Sequence, residues 1–298
     1  MYLTQDKITE IFYAIDEFCI EFDKTLSTHQ IGNLPKRKPK MSQSEVIAIM
    51  IFFHSGCFKN LNHFYLFYVQ KQMTKEFPQT VSYNRFVELQ RSSVLTMTLF
   101  LKTCCLGKCT GISCIDSRPI RVCKNKRIPR HKVFDGIAWR GKSTMGCFFG
   151  FKLHFIINDK GEILSFMITP GNTDDREPLK DENFVNALIG KLYADKGYIS
   201  KKLTELLFVN NLHLITHIRN NMKNVIMEMK DKIMLRKRSV IETINDVLKN
   251  QCSVEHSRHR SFENFISNMI AALIAYAFHP KKPAIKYQRE DTSQLVIF

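Results

Sequence analysis

Near residue 110 the hydrophobic pattern of the chain changes period, which limits it to folds joining a helical segment to an α/β sheet. Upstream, Ile8, Ile11, Phe12, Ile15, Phe18 and Cys19 recur at helical spacing over residues 5–24. A basic, proline-containing stretch at residues 34–40 reads as a linker. Ser42 with Glu45 forms a capping box ahead of the apolar run 46–53, and Ser82 opens another helix carrying Tyr83, Arg85, Phe86 and Leu89. Short helices separated by tight turns are compatible with a helix-turn-helix and equally with a plain packing bundle.

Downstream the period is that of strands. Residues 111–116 read as a short strand and 148–157 as a long one. In the long strand Phe149, Phe151, Leu153, Phe155 and Ile157 alternate with Gly150, Lys152, His154 and Ile156. Asn158 to Gly161 is a hairpin signal leading to a strand at 163–169. Helix is expected at 176–189, strand at 192–195, helix at 200–210, strand at 213–217 and helix at 239–250. Three antiparallel-looking strands followed by alternating helix and strand fit an α/β sheet covered by helices. The expected division is a helical N-terminal domain over residues 1–108, an α/β domain over 109–280 and a polar tail over 281–298.

Charge narrows the function. The chain carries 44 Lys and Arg against 28 Asp and Glu, a formal net charge of +16. Arg118 to Lys160 holds eleven basic and two acidic residues, so more than half of the excess lies in one stretch. Such clustering favours a phosphate-contacting surface over a solvated loop, and nucleic acid as the partner. The N-terminus, with Asp6, Glu10, Asp16, Glu17 and Glu21 among its apolar residues, does not look like a signal peptide. The apolar runs 46–53 and 269–278 fall well short of the roughly 20 residues that span a bilayer. Nine irregularly spaced cysteines suggest reduced thiols in a cytoplasm. Cys104, Cys105, Cys109 and Cys114 raise a zinc hypothesis that lacks a second CxxC pair.

Three carboxylates stand out. On a helix around Glu242, Arg238, Glu242, Asn245 and Lys249 fall within about a 60° arc opposite Val240, Ile241, Ile244, Val247 and Leu248. An exposed face laced with ion pairs would explain that stripe, and so would a metal ligand set between cations. Asp195 ends a short apolar strand before Lys196-Gly197-Tyr198, where ligands gather in open α/β sheets, although Asp also caps turns. Asp116 lies in a strand that reads as buried, an unfavourable place for a carboxylate without a cation. Together they suit phosphoryl transfer on DNA, which uses two hard cations held by oxygen ligands from separate elements.

These motifs resemble those of DDE transposases of bacterial insertion sequences. Asp195 to Tyr198 is similar to that group's second acidic motif, and Arg238-x3-Glu242-x6-Lys249 to its third. Ile115 to Pro119, Gly146 to His154, Gly190 to Ser200 and Glu255 to Ser261 further resemble the insertion sequence 982 family. The resemblance implies a ribonuclease H-like core, a mixed sheet flanked by helices, behind an N-terminal all-helical domain that binds DNA ends. It implies Asp116, Asp195 and Glu242 as the catalytic, metal-binding triad, with two Mg²⁺ ions and Mn²⁺ as substitute. Asp116 is then expected to bridge the ions, with Asp195 and Glu242 each completing one coordination sphere. The 47-residue interval from Asp195 to Glu242 leaves no room for a large insertion domain. Leu235 stands where the wider signature has Tyr.

Lys152, His154, Lys196, Arg238, Lys249, Arg258 and Arg260 are the expected DNA contacts, while Asp174 and Asp175 read as turn caps. The function implied is cleavage and strand transfer at terminal inverted repeats. A ribonuclease H-like nuclease without transposition, or an inactive DNA-binding descendant, are the competing readings. Expected partners are double-stranded DNA, both element ends and target, and a second copy of the chain in a homodimer or larger assembly. No membrane is expected; the setting is a bacterial cytoplasm, at the nucleoid.

Overall fold

Helix α1 (Gln5–Ser27) buries Ile8, Ile11, Ile15 and Cys19, the stripe its spacing predicts. The computed structural model describes residues 3–27, 39–143, 146–218, 227–255 and 259–286. Most of the expected linker, most of the expected tail and Arg258 therefore lie outside the described residues. Helix α2 (Gln43–Ser55) starts at the expected capping box: the Glu45 N–H donates to Ser42 Oγ and the Ser42 N–H donates to Glu45. Eleven residues of α2 are buried, from Ser44 through Ser55, so it is the central rod of a packing bundle and presents no recognition face. A helical run over residues 61–72 (α3), with a π-wound middle at Phe64–Val69, leads to α4 (Tyr83–Ser92), capped by Ser82 as expected. Helix α5 (Val94–Phe100) runs on through a π-type turn at Leu101–Cys105.

Six strands among the described residues form one sheet: β1 (Ile112–Arg121), β2 (Trp139–Ser143), β3 (Gly146–Asn158), β4 (Ile163–Pro170), β5 (Gly190–Ala194) and β6 (Leu212–Thr216). Strand β3 pairs antiparallel with β1 along one edge, Ser113 opposite Asn158 and Arg121 opposite Gly150. Its other edge is divided: β2 pairs with residues 146–150 and β4 with 151–157. Strand β1 pairs in parallel with β5, and β5 with β6. Strand β2 has no counterpart in the sequence expectations, since its residues Trp139-Arg-Gly-Lys-Ser143 carry no alternation.

Two helices depart from expectation for local reasons. The span 176–189 is a 3₁₀ turn (Glu177–Lys180) and then a short helix α6 (Glu182–Val185). Pro178 limits the first turn, and Asp181 starts α6 by accepting the Asn183 N–H. Helix α7 (Lys201–Val209) matches its expectation. Next come α8 (Met229–Lys237) and α9 (Val240–Asp246), the latter extended by a π turn at Val247–Gln251. That turn changes the angular step, so Lys249 leaves the stripe of Glu242 and Asn245 that a uniform α-helix would give. The last helix, α10 (Phe262–Ala277), is apolar nearly all round, so no amphipathic period marks it in the sequence.

The sheet divides the interior into two clusters. Leu153, Phe155 and Ile157 of β3, with Cys114 and Tyr193, face the larger one, which also holds α1, α2, α9 and α10. Ile115, Ile156, Leu192 and Ala194 face the smaller one, closed by Leu203 and Leu207 of α7. The N-terminal helices therefore share a core with α10 and one face of the sheet. Burying each large aliphatic or aromatic side chain there contributes about 1.5–3 kcal/mol.

The hairpin after β3 turns at Gly161, with φ +77°, where a Cβ would collide with the Pro283 carbonyl oxygen. Gly136 has φ +73° but open space around it. Gly161→Ala is expected to lower unfolding free energy by about 2–3 kcal/mol, and Gly136→Ala by about 1 kcal/mol. Urea unfolding of both variants checks this; equal losses would show that the close approach to Pro283 is not what demands glycine.

Candidate active site

The side-chain alternation of two paired strands brings the first two carboxylates together. The parallel register sets Ile112 against Lys191, Ser113 against Leu192 and Cys114 against Tyr193. Two residues further on, Asp116 comes level with Asp195, just past the end of β5. Asp116 shares its sheet face with Cys114, and Asp195 shares it with Tyr193. That face belongs to the larger cluster, and α9, whose Ile241 and Ile244 pack into it, carries Glu242. Helix α9 lies against β1. Asp195 and Glu242 are exposed, and Asp116 is half-buried.

The charges of the other two act on Asp116. Burial pushes the Asp116 carboxyl up to about 6; the Arg238 guanidinium and the Ser117 N–H oppose the rise, and the charges of Glu242 and Asp195 add to it. Asn245, one turn beyond Glu242, donates from Nδ2 to Asp116 Oδ2 at 2.9 Å. Arg118, two residues along β1 from Asp116, donates to the Asn245 carbonyl oxygen at 2.6 Å and stands 3.9 Å from Glu255. Arg238 Nη2 is 3.8 Å from Glu242 Oε1. Burial also holds the Tyr198 hydroxyl well above its usual range, with the charges of Asp116 and Asp175 acting in the same direction.

Among the described residues no group of three His, Cys, Asp or Glu side chains is close enough to hold a metal ion. The donor chemistry nevertheless fits a hard cation. All three acidic groups offer oxygen only, their mutual repulsion is partly answered by Arg238, and Asn245 Oδ1 is buried without a partner. The four cysteines of the zinc hypothesis are scattered: Cys114 is buried in β1, Cys104 is exposed, and Cys109 Sγ accepts the Ile189 N–H at 3.4 Å.

The expected DNA contacts fall into distinct groups. Lys152 and His154 lie on the opposite sheet face from the triad, because their β1 partners are Pro119 and Ser117 while that of Asp116 is Phe155. Lys152 donates to the Thr173 carbonyl oxygen and pairs with Asp175 at 2.8 Å. His154 is fully buried, hydrogen-bonded through Nε2 to Thr169 Oγ1 at 2.8 Å, and burial pushes its pKa down to about 4. That ring is a neutral core group, which corrects its assignment as a DNA contact. Arg238 is buried beside the triad, so its charge acts on Asp116 and Glu242. Lys196, Lys249 and Arg260 are exposed. Lys249 lines an open basic cleft with Arg121, Lys124 and Lys126, and Glu255 at its wall connects it through Arg118 to Asn245.

Asp174 caps its turn as expected, accepting the Arg176 N–H at 2.9 Å, and the Arg176 side chain holds its carboxyl well below the usual range. Asp175 instead takes the Lys152 ion pair. Arg118 and Asn245 are the site residues that sequence reasoning did not assign. The period-2 rule placed Arg118 on the Asp116 face, and Asn245 already stood on the Glu242 stripe.

A folded-state pKa above the unfolded one means that ionising Asp116 opposes folding. That stability is complete below the unfolded value of about 4 and is lost as pH rises through about 6. Without divalent ions, Asp116→Asn should equal the wild type near pH 4 and exceed it by roughly 2–3 kcal/mol above pH 7. Denaturant titrations at the two pH values measure this, and a pH-independent difference would refute the buried-charge account.

The family described as Transposase DDE domain matches residues 106–262. No curated protein matches the chain at a significant level. Solved structures with some likeness include a piggyBac transposase synaptic complex with hairpin DNA, at 11% identity and TM-score 0.46, covering 93% of this chain and 72% of that one. Another is a pre-cleavage Mos1 transpososome, at 9% identity and TM-score 0.28, covering 88% of this chain and 85% of that one. The family match takes in more than half of the 298 residues and contains all three carboxylates, so the chain belongs to the Transposase DDE domain family.

Proposed function

We propose that the protein is a transposase of the insertion sequence 982 type, which cleaves DNA at the terminal inverted repeats of its element and joins the cut ends to a target. The feature that supports this reading best is the β1–β5 register, which sets Asp116 level with Asp195 on the sheet face that α9, carrying Glu242, packs against. The strand order β4–β3–β1–β5–β6, with the first three antiparallel and the last three parallel, supports a ribonuclease H-like core.

In this proposal Asp116, Asp195 and Glu242 would hold two divalent ions, Mg²⁺ with Mn²⁺ as substitute. When bound, the ions supply activation of the attacking oxygen and charge stabilisation at the leaving oxygen. The rest falls to the chain. Asn245 fixes one oxygen of Asp116 through its amide N–H. Arg238 favours the ionised form of Asp116 near neutral pH. Arg121, Lys124, Lys126 and Lys249 in the adjoining cleft neutralise phosphates and orient the strand. A dimer or larger assembly on two DNA ends, and end binding through the helical segment before residue 108, complete the proposal. Among the described residues no helix is long and apolar enough to cross a membrane.

Alanine at Asp116, Asp195 or Glu242 is expected to lower Mg²⁺-dependent strand cleavage on the order of 10³-fold or more, with DNA affinity retained. A gel assay on inverted-repeat DNA from the element's flanks measures both; full cleavage in any one variant would remove that residue from the triad. An end-joining assay on precut DNA should yield joined product, and cleavage without joining would identify a nuclease instead.

A further inference from the structure

The two edges of the sheet are finished differently. Strand β2, at one edge, carries Arg140 and Lys142 on either side of Gly141. Charge and glycine of that kind keep an edge from pairing with another chain. Strand β6, at the opposite edge, reads Leu212-His-Leu-Ile-Thr216, with no Lys, Arg, Asp, Glu or Pro and no bulge. Among the described residues no strand lies on its outer side. Its parallel register with β5 fixes which groups point there. The Gly190 N–H donates to the Asn211 carbonyl oxygen at 3.1 Å, and Gly190 stands level with Leu212. Because the bonding alternates along a strand, His213 and Ile215 turn their N–H and C=O toward β5. Leu212, Leu214 and Thr216 turn theirs outward. Outward backbone groups on an uncharged edge are a template for a further strand.

The spacing of these groups selects the occupant. Three outward residues at alternate positions complement themselves: in an antiparallel pair centred on Leu214, that residue faces its own copy and Leu212 faces Thr216. Every outward N–H and C=O then has a partner, and no like charges meet. The helix above fits the same axis. Leu203 and Leu207 of α7 are buried against the sheet, so Thr204 and Phe208 share one flank of that helix. The Phe208 ring, 60% exposed, meets the His213 ring edge-on at 4.9 Å, which marks this flank as the one at the free edge. A right-handed crossover sets α7 over the groove between β5 and β6. Its copy would lie two strand spacings away, about 10 Å, the distance at which helices pack. Running antiparallel, each helix would set Phe208 near Thr204 of the other copy, and its carbonyl end near the exposed Lys201. We propose that β6 joins two copies of this chain into one continuous antiparallel sheet, with the two-fold axis at Leu214. That axis is perpendicular to the sheet, so both carboxylate triads lie on the same face of the joined sheet. The interface gives a place to the dimer of the proposed function, and it forms without DNA.

Sedimentation velocity and amide hydrogen exchange, both without DNA and over a concentration series, test the proposal. The wild type should pass from monomer to dimer as concentration rises. Over the same range, exchange at Leu212, Leu214 and Thr216 should slow roughly tenfold or more. Phe208→Glu, at an exposed position, and Leu214→Pro, which removes the central outward N–H, should each weaken the dimer roughly tenfold or more. Thermal melting verifies that they fold; if Leu214→Pro does not, Phe208→Glu decides alone. A chain that stays monomeric at every concentration would overturn the proposal, and so would a dimer that neither variant weakens. Slow exchange of these amides at every concentration would overturn it too, since the edge would then be covered within one chain. A dimer that forms only on added DNA would overturn this interface and leave the DNA-cutting reading intact. A β6-dependent dimer that cuts no DNA would do the reverse.

Discussion

The site depends on the parallel pairing of β1 with β5 and, above all, on its register. Because side chains alternate across a strand, a slip of one residue would send Asp116 and Asp195 to opposite faces of the sheet. The register is held by burial on both sides: Cys114 and Tyr193 fill the larger core, Ile115, Leu192 and Ala194 the smaller. Moving β1 by one position would drive Asp116 into the smaller apolar cluster and exchange the side chains that fill the two layers. The same packing that stabilises the sheet therefore sets two like charges side by side at its end; burial is the main cause of the raised Asp116 pKa, and repulsion from Glu242 and Asp195 adds to it.

That repulsion is managed by groups from the helix side and from β1 itself. Arg238 is buried at the α8–α9 junction, where its charge reaches both Asp116 and Glu242. Asn245 donates to Asp116, and Arg118 in turn engages the Asn245 carbonyl oxygen and approaches Glu255. These contacts differ in kind from the exposed pairs Arg85–Glu88 and Lys180–Glu177, which contribute little in high dielectric. A partly buried charge without its partners would be strongly destabilising, so the network around Asp116 acts as one unit. It leaves Asp195 and the outer oxygens of Glu242 facing solvent.

Much of this was legible in residues. The capping box at Ser42, the hairpin at Asn158–Gly161, and the strands and helices around both aspartates follow from local chemistry that the tertiary structure does not override. What escaped has physical causes. Helix α10 is apolar nearly all round beyond its first turns, so its sequence has little period to read, and β2 is an exposed edge segment with a Gly at its centre. Lys152 and His154 looked like contacts because they alternate with apolar residues, and alternation normally means solvent on the second face. Here the second face is covered as well, so His154 is a core residue with Thr169 as its partner. The π turn at Val247–Gln251 is equally invisible to a fixed helical step, and it carries Lys249 out of line with Glu242.

The long-range contacts of α10 bear on how the parts of the molecule cooperate. Residues 1–108 read as a domain of their own, yet α2 packs against both α1 and α10, which follows Glu242 in the chain, and all three share one core. His54 of α2 donates from Nδ1 to the Cys252 carbonyl oxygen at 2.6 Å, joining the bundle to the turn that follows Glu242 and Asn245. Residues that share one close-packed core do not move independently, because small displacements there open cavities or force clashes. The N-terminal helices are thus held at a fixed distance and angle from the carboxylates, so an end-binding surface of the kind proposed for them would be held likewise. Positioning of this sort lowers the entropic barrier to in-line attack. The shared core therefore makes the helical segment part of the scaffold that positions the three carboxylates.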